Sequence, residues 1–328
     1  MSILIVGAGA IGQWLGALLH ERAGETVTML ARPRQLEALA SLPMRSVAQL
    51  EPGTAFDDVI FTVKAFQVEE AAAQLAASGL RLKRIWGFQN GMGSDEKLAA
   101  HFPGLWFGAM TTTIPVYIEN GKPQPGPRGG LAWATKHERF LAPPWLDRMG
   151  LPCTAVPRVD SLKCSKLLLN VTCNSSCALL DMLPSEVVAH GPMFNFELAC
   201  LREFLAVVRS NRIPLADLPN YKVTQMAGLA YLPNFAIRSL LGSKITKARG
   251  QKPPSLLVDL RAGRPQSEVE VLNGAVVELG KRSGIPTPGN AWLLENLRAV
   301  VADNSLWAGY RGQIDKVAQQ ALSALKTK

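Results

Sequence analysis

The feature that most constrains this chain is a short apolar strand, residues 3–6, that runs directly into a glycine triplet with the spacing Gly-x-Gly-x-x-Gly. In such a triplet the first glycine permits a sharp turn, and the second lets the backbone approach a pyrophosphate. The third lets the following helix pack closely on the strand, so that its N-terminal N–H groups face the phosphates. The pattern predicts a dinucleotide site. Its predicted contact residues are Gly7, Ala8, Gly9, Ala10, Ile11 and Gly12.

The residues after the second predicted strand indicate which dinucleotide binds. That strand spans residues 25–30, and an NAD site usually places an Asp or Glu about 20 residues beyond the fingerprint, where it accepts from the ribose 2′-hydroxyl. Arg32 occupies this position, and Arg34 lies close by. An arginine can bind a 2′-phosphate, which a carboxylate would repel. Arg32 therefore favours NADP over NAD; the alternative is an arginine on the solvated surface.

Short apolar strands alternate with helical patterns up to about residue 157. Further strands are predicted at residues 58–63, 84–88 and 105–110, with an alanine-rich helix at 68–77. This alternation predicts an α/β fold with a parallel, doubly wound sheet of the Rossmann type.

The later part of the chain has a different pattern. A strand at 116–121 ends in an Asn-Gly turn, residues 131–134 are expected to pair back as the antiparallel edge, and Pro and Gly at 121–130 indicate a loop. From about residue 160 helical patterns take over. The predicted helices span residues 161–181, 185–211, 217–232, 267–283 and 291–302. We therefore expect an NADP-binding Rossmann-type domain at 1–157 and an all-helical substrate domain at 158–328.

Charge and hydropathy narrow the classes of partner. The formal net charge of +9 suits anionic cofactors and acids, but also nucleic acid or a membrane surface. The basic residues are scattered and no nucleic-acid-binding motif is present, so we expect no nucleic-acid partner. Residues 3–19 carry no charge, but glycines interrupt them and no basic segment precedes them, so we expect neither a signal peptide nor a membrane anchor. A cytoplasmic protein is predicted, and a homodimer is left open.

The five cysteines are Cys153, Cys164, Cys173, Cys177 and Cys200. Their odd number and irregular spacing indicate reduced thiols rather than disulfides. Cys173 and Cys177 stand four residues apart on a predicted helix, a spacing that also suits a metal site. Because no histidine pair or second cysteine pair is near, we favour buried thiols and expect no metal.

The chemistry of an open α/β sheet is expected at the crevice outside the carboxyl ends of its strands. Lys64 and Asn90 each follow a predicted strand and belong at this edge, although Asn90 before a glycine is also typical of a simple turn. In the helical half, Lys166, Asn170 and Asn174 recur every four residues and form one stripe of a predicted helix. The stripe either faces water or lines a polar pocket, and the pattern leaves both interpretations open.

Five segments together resemble the ketopantoate reductase family, in the family's order and with similar intervals over most of the chain. They are Gly7-Ala8-Gly9-Ala10-Ile11-Gly12, Val63-Lys64-Ala65-Phe66-Gln67-Val68, Gln89-Asn90-Gly91-Met92-Gly93, the stretch from Lys166 to Asn174, and Ser267-Glu268-Val269-Glu270-Val271-Leu272-Asn273-Gly274. The resemblance implies an NADPH-dependent enzyme that reduces the small 2-keto acid 2-dehydropantoate to pantoate, on the route to coenzyme A.

The resemblance also implies roles for single residues. Lys166 matches the family's general acid, which fits because an ammonium can stabilise and protonate the alkoxide that forms when hydride reaches a ketone carbon. Glu268 matches the acid that holds the substrate hydroxyl, although the spacing Ser267-x-x-Glu270 is also that of a helix capping box. The other matches are Asn170 and Asn174 as substrate-contacting amides, Ser255 as the serine that receives the substrate carboxylate, and Lys64 and Asn90 near the cofactor and the reacting carbonyl.

Two segments depart from the family pattern. Ser175-Ser176-Cys177 stands where the family commonly has Pro-Leu-Thr, and residues 114–133 lack the usual glycines and histidine. We expect both to border the substrate pocket or its cover, which leaves open a reductase of a different 2-keto acid. A dehydrogenase with another mechanism is disfavoured, because it has no reason to carry Lys166 and Glu268 together. A non-catalytic NADPH-binding sensor is the remaining alternative.

Overall fold

The computed structural model describes residues 1–136, 142–234, 236–237 and 252–326. The chain divides into two compact units. Residues 1–163 with 216–221 contain the large sheet and are called the sheet unit. Residues 164–215 with 222–328 are helical where they are described and are called the helical unit. The predicted fold class is confirmed, and the predicted domain boundary after residue 157 stays a prediction.

The strands of the described chain are β1 (Ser2–Val6), β2 (Thr26–Leu30), β3 (Arg45–Val47), β4 (Ala55–Phe61), β5 (Arg81–Gly87), β6 (Trp106–Thr112), β7 (Val116–Glu119), β8 (Lys122–Pro125), β9 (Leu131–Thr135) and β10 (Cys153–Ala155). Eight of them form one sheet in the order β10-β9-β6-β5-β4-β1-β2-β3. Neighbours among β1 to β6 pair in parallel. From β3 to β6 the order is 3-2-1-4-5-6, that of a doubly wound dinucleotide-binding sheet, and the winding reverses between β1 and β4.

Helices cover both faces of this sheet. They are α1 (Ala10–Glu21), α2 (Leu36–Leu39), α3 (Val68–Ala76), α4 (Ser94–His101) and α5 (Pro144–Arg148). Ile3 and Ile5 of β1 pack in the core cluster that includes α1 and α5, whereas Leu4 packs in the cluster that includes α3 and α4. Successive strand residues point to opposite faces, so a strand covered on both sides needs apolar residues at every position. This explains the unbroken apolar run at residues 3–6.

Asp58 of β4 is a fully buried carboxylate that joins the sheet to a helix. It accepts two hydrogen bonds of 2.6 Å from Arg84 of β5 and one each from the indole nitrogens of Trp86 (2.8 Å) and Trp145 (3.0 Å). Trp145 belongs to α5. A buried carboxylate is tolerated when it is paired with a cation and fully hydrogen-bonded, which Arg84 and the two indoles provide.

The segment after β6 differs in part from the prediction. The Asn-Gly turn is confirmed: Asn120 and Gly121 have φ of 50° and 75°, as a tight hairpin requires, and the turn joins β7 to β8. The loop prediction for 121–130 is wrong at residues 122–125, which form β8, and is confirmed at 126–130. β9 is antiparallel as predicted, with β6 as its partner, but β10 pairs with β9 and forms the edge of the sheet instead. The β7–β8 hairpin packs against α1.

The helices that follow are α6 (Val159–Val171), which starts in the sheet unit, α7 (Asn174–Leu180), α8 (Pro184–Ala189), α9 (Gly191–Ser210), α10 (Val223–Leu229), α11 (Ser255–Arg261), α12 (Asn273–Ser283), α13 (Pro288–Ala302) and α14 (Ile314–Ala324). In the helical unit α9 packs against α8, α12, α13 and α14, and α7 packs against α11 and α13. The buried Phe196 and Phe204 of α9 therefore belong to the core of this unit.

The helix predicted at 161–181 is two helices. α6 ends at Val171, and Cys173 adopts a left-handed φ of 57° immediately before α7. The N–H of Cys173 donates to the buried carboxylate of Glu197 on α9 (2.7 Å). A contact distant in sequence thus replaces local helical hydrogen bonding, and the prediction of one continuous helix is wrong.

Other predicted helices are shorter than expected. The helix at 185–211 divides at His190, whose side chain accepts a hydrogen bond from Met193 at the start of α9. The helix at 217–232 begins only at Val223. The helix at 267–283 starts as a 3-10 turn, Glu268–Glu270, before α12. The sequence pattern did not predict α11 and α14.

The five cysteines are free in the structure, and all except Cys153 are buried. Within the described ranges no group of three or more His, Cys, Asp or Glu side chains is placed to hold a metal ion. In the same residues, no helix has both the length and the apolar character needed to span a membrane.

Candidate active site

The predicted cofactor residues of the sheet unit follow four neighbouring parallel strands. The glycine triplet follows β1, Arg32 follows β2, Lys64 follows β4 and Asn90 follows β5. Parallel strands end at one edge of a sheet, so all four segments lie at the carboxyl edge on both sides of the winding reversal. Neighbouring strands are about 4.8 Å apart, so β2 to β5 span about 14 Å. In a doubly wound sheet a dinucleotide binds across this edge, at the point where the strand order reverses.

Each position of the triplet has its own steric reason for being a glycine. Gly7 has a φ of 116°, in the region that favours glycine. A Cβ on Gly12 would lie 2.0 Å from the Gly7 carbonyl oxygen, so only glycine lets α1 pack this closely on the turn. A Cβ on Gly9 would have no heavy atom within 4 Å. Gly9 is exposed and leaves open space at the start of α1, where a pyrophosphate is predicted.

Polar side chains hold the glycine turn from both sides. The Thr62 hydroxyl, just after β4, donates to the Gly7 carbonyl (2.8 Å), and the Gln13 amide donates to the Ala8 carbonyl (3.0 Å). The first turn of α1 carries no acidic residue. Its N-terminal N–H groups and the positive end of its dipole therefore meet no competing carboxylate from that turn. These residues fit a pyrophosphate group.

Arg32 lies at the exposed start of a 3-10 turn, Pro33–Gln35. Its backbone N–H donates to the Gln35 side chain (3.2 Å). Among the described residues its guanidinium has no ion-pair partner, and Arg34 is exposed beside it. Because no carboxylate occupies this strand end, the site fits a 2′-phosphate better than a bare ribose.

Gln89 ties together the two strand ends that carry Lys64 and Asn90. Its side-chain amide donates to the carbonyls of Phe61 (2.7 Å) and Val63 (3.1 Å), the latter directly before Lys64. Asn90 is half-buried and follows Gln89 in the turn that leads to α4. Sequence reasoning treated Gln89 only as part of a motif, although its position at a strand end beside Asn90 was a usable signal.

Lys163 is a second residue that the sequence analysis missed. Its side chain is 3% exposed, its ammonium donates to the Gln89 carbonyl (2.8 Å), and it pairs with Asp95 Oδ1 at 3.3 Å. Asp95 lies in the first turn of α4, and burial raises the pKa of its carboxyl group. A lysine within an apolar helical segment was the signal that could have pointed to this pair.

In the helical unit, Lys166 and Asn170 are the half-buried residues in a stretch of α6 that is otherwise buried, 161–171. The predicted stripe is therefore formed by these two residues. Asn174 does not continue it, because the chain turns at Cys173 and Asn174 begins α7. The three-residue stripe is wrong in geometry, since it assumed an unbroken helix.

Asn174 and Ser255 come together at the start of α11. The Oδ1 atom of Asn174 accepts a hydrogen bond from the N–H of Leu256 (3.2 Å), the residue after Ser255. Asn174 is 5% exposed, and Ser255 is exposed. The bond from Leu256 uses one lone pair of this oxygen and fixes the orientation of the amide, so that its N–H groups point away from Leu256.

The altered segment 175–177 is buried inside the helical unit. The Ser175 hydroxyl donates to Asn273, and the Ser176 hydroxyl donates to Glu197. Asn273 in turn donates to Asn290 (3.0 Å). All three side chains of the segment are at most 1% exposed, so they serve packing within this unit.

Glu268 is 3% exposed and begins the 3-10 turn that precedes α12. The Ser267 hydroxyl oxygen accepts from the N–H of Val269 (3.2 Å), so it caps this turn. Glu270 does not complete the capping box, because its carboxylate pairs with Arg298 at 2.6 Å instead. The capping-box alternative is therefore only half correct, and it involves Glu270 rather than Glu268.

Two family models match the chain. The one described as Ketopantoate reductase PanE/ApbA matches residues 3–122, and the one described as Ketopantoate reductase PanE/ApbA C terminal matches residues 158–301. Together they cover most of the sequence. The chain belongs to the ketopantoate reductase family. It is therefore an NADP-dependent oxidoreductase, and the predictions of family, enzyme class and cofactor are confirmed.

Relatives of this ketopantoate reductase family member match along nearly its whole length. The 2-dehydropantoate 2-reductase of Archaeoglobus fulgidus is 28% identical over 316 residues, which cover 91% of this chain and 97% of that protein. The 2-dehydropantoate 2-reductase of Vibrio cholerae is 27% identical over 316 residues, which cover 92% of this chain and 98% of that protein.

Solved structures share the fold. The PanE/ApbA family ketopantoate reductase from Ralstonia eutropha aligns with a TM-score of 0.75 at 22% identity, covering 93% of this chain and 100% of that chain. A D-mandelate dehydrogenase with NADH and anilino(oxo)acetate aligns with a TM-score of 0.77 at 21% identity, covering 93% of this chain and 99% of that chain. At these identities the likeness establishes the fold alone.

The two glycines of the α1 turn make a matched pair for mutation. We expect Gly9→Ala to keep the stability of the protein, because the added Cβ meets open space, and to weaken NADPH binding at least about tenfold, since it displaces a phosphate that accepts charge-assisted hydrogen bonds worth about 1.5–3 kcal/mol. Gly12→Ala should lower both protein stability and NADPH affinity, because its Cβ collides with the Gly7 carbonyl. Thermal melting and NADPH titration measure the two effects. Unchanged NADPH affinity in Gly9→Ala would contradict the phosphate site.

Proposed function

We propose that this protein reduces 2-dehydropantoate to pantoate with NADPH. The observation that carries the proposal is that Lys166 and Asn170 are the half-buried polar residues of an otherwise buried helical stretch, where the family places its acid and an amide. Full-length similarity to proteins named 2-dehydropantoate 2-reductase supports it.

The sheet unit would hold NADPH along its carboxyl edge. The glycine turn with Ala8, Ala10 and Ile11 would bind the pyrophosphate, and Arg32 the 2′-phosphate. On the other side of the winding reversal, Lys64 and Asn90 would lie along the nicotinamide half. NADPH supplies the hydride for C2 of the keto acid. The strand order, with Arg32 at one end and Asn90 at the other, supports this direction of binding.

Lys166 would act as the general acid. As hydride bonds to the keto carbon, the carbonyl electron pair moves to oxygen, and the alkoxide takes a proton from the Lys166 ammonium. The products are pantoate and NADP, with a neutral lysine that regains a proton from water. An ammonium contributes both charge stabilisation and the proton, which is the combination this step requires.

The other candidate residues of the helical unit would orient the keto acid substrate. Asn170 and the amide N–H groups of Asn174 would donate to substrate oxygens, and the exposed Ser255 hydroxyl would receive the carboxylate. Glu268 would accept from the substrate hydroxyl. The hydrogen bond from Leu256 to Asn174 supports this arrangement, because it fixes the amide in the orientation that presents donors.

The central test is NADPH oxidation with 2-dehydropantoate beside a panel of other 2-keto acids. We expect 2-dehydropantoate to be the fastest, and Lys166→Ala to lower kcat by about 10²–10⁴-fold, the usual contribution of a general acid, with NADPH affinity unchanged. Lys281→Ala, an exposed lysine of α12, is the matched control and should keep wild-type turnover.

Three outcomes would contradict parts of the proposal. Faster turnover of another acid would keep the mechanism and replace the substrate. NADPH binding with no turnover on any acid would favour the sensor. Wild-type turnover in Lys166→Ala would remove the general-acid assignment.

Arg32 is tested by cofactor preference. We expect Arg32→Ala to reduce the ratio of kcat/KM for NADPH over NADH by about tenfold or more, because a charge-assisted arginine–phosphate contact is lost. Arg22→Ala removes the same charge at an exposed position after α1 and should leave the ratio unchanged. If both variants behave alike, the preference comes from net charge and not from Arg32.

Asn174 is tested with an isosteric change. Asn174→Asp keeps an oxygen for the Leu256 N–H but replaces the amide donor with a negative charge. We expect KM for the keto acid to rise at least about tenfold, the equivalent of about 1.4 kcal/mol, while NADPH affinity stays near wild type. The melting temperature should fall, because the new carboxylate is buried without a cation. Asn174→Ala should lose stability as well, since it leaves the Leu256 N–H without an acceptor. An unchanged KM in Asn174→Asp would exclude Asn174 as a substrate donor.

A further inference from the structure

A buried lysine holds the peptide that leads into Asn90. Lys163 belongs to the sheet unit, three residues before Lys166 in sequence, and its side chain is 3% exposed. Its ammonium donates to the Gln89 carbonyl at 2.8 Å. The Gln89 carbonyl and the Asn90 nitrogen belong to one planar peptide group. A bond to that oxygen therefore fixes the plane from which the Asn90 backbone continues.

Gln89 is also held through its own side chain. The Gln89 side chain donates to the carbonyls of Phe61 and Val63 at the end of β4. The turn after Asn90 is otherwise permissive: Gly91 and Gly93 have φ of 75° and 92°, and glycine restricts the backbone least. The bond from Lys163 therefore adds an anchor where this turn begins.

The pairing with Asp95 raises a simpler alternative, that Lys163 only neutralises a buried acid. Asp95 is 2% exposed and 3.3 Å from the ammonium. Buried ion pairs often contribute little net stability, because the cost of desolvating both charges offsets their attraction. If Lys163 served only to neutralise Asp95, replacing both residues with uncharged ones would leave the protein equally stable and active. The hydrogen bond to the Gln89 carbonyl would then have no consequence for activity.

We propose that Lys163 is a positioning residue, which acts through the Gln89 carbonyl to set Asn90 for the reduction. This rests on the proposed function, which places Asn90 near the nicotinamide and the reacting carbonyl. Lys163 does not touch the cofactor in this role. Misplacement of a positioning group by about 1 Å can cost about 10²-fold in rate, so the effect of losing it is measurable.

The experiment removes the two charges together. Lys163→Met/Asp95→Asn eliminates the ammonium and the carboxylate charge but keeps the size of both side chains. The single variant Lys163→Met leaves Asp95 buried without its cation, and Lys97→Met, at an exposed position of α4, is the control. The full-length proteins are compared by melting temperature, NADPH affinity, kcat and KM, and by hydrogen exchange of the amides of residues 90–93 with NADPH bound.

We expect the melting temperature of the single variant to be lower than that of the wild type, and that of the double variant to return toward the wild-type value. In the double variant kcat should still be at least about tenfold lower, and exchange at residues 90–93 faster, because the Gln89 carbonyl has lost its donor. NADPH affinity should stay within about threefold of wild type, since the glycine turn is untouched. Lys97→Met should match wild type in every measurement.

A double variant with wild-type kcat and wild-type exchange would overturn the proposal and leave Lys163 as a counter-charge for Asp95. A double variant with low kcat but wild-type exchange at residues 90–93 would also contradict the proposal, because the turn would then be intact. If the wild-type protein reduces no keto acid, the proposed function fails instead. The exchange comparison then still decides whether Lys163 holds this turn.

Discussion

Parallel pairing of β1 with β2 and β4, and of β4 with β5, is the constraint on which the sheet unit depends. A chain can add a parallel strand only after returning to the starting edge, and here α1, α3 and α4 make part of that return while covering the two faces. The strand ends then meet at one edge, which gathers the glycine turn, Arg32, Lys64 and Asn90. Asp58 supports the same pairing, because it lies on β4 and binds Arg84 of β5.

The parts that could be predicted from sequence are those whose cause is local. The glycine triplet is readable because each glycine answers a steric demand from within the same turn or its neighbouring strand, such as the Gly7 carbonyl against Gly12. Unbroken apolar runs indicate strands that are covered on both faces. The break before α7 was not predictable in this way, because it depends on the N–H of Cys173 reaching Glu197 of α9, whose position follows only from helix packing.

The same distinction applies to the candidate site. Arg32, Lys64 and Asn90 could be placed because strand ends can be counted from the sequence. Lys163 carried a weaker signal. Its position in an apolar helical segment could have indicated burial, but only the fold shows that its partners are Gln89 and Asp95. The second function of Asn174, as acceptor for the start of α11, also needed the fold.

The two departures from the family pattern bear on the choice of acid. A buried network of polar side chains is favourable only when every member has a hydrogen-bond partner. The hydroxyl of Ser175 donates to Asn273, and that of Ser176 donates to Glu197. These two hydroxyls are therefore satisfied by partners inside the helical unit. The other departure, 114–133, includes a hairpin packed against α1, the helix assigned to the cofactor. The polar side chains that stay partly exposed in the helical unit include Lys166, Asn170 and Ser255, all of which match the family. If 2-dehydropantoate is the substrate, as we propose, the residues that would bind it are therefore among those that match the family.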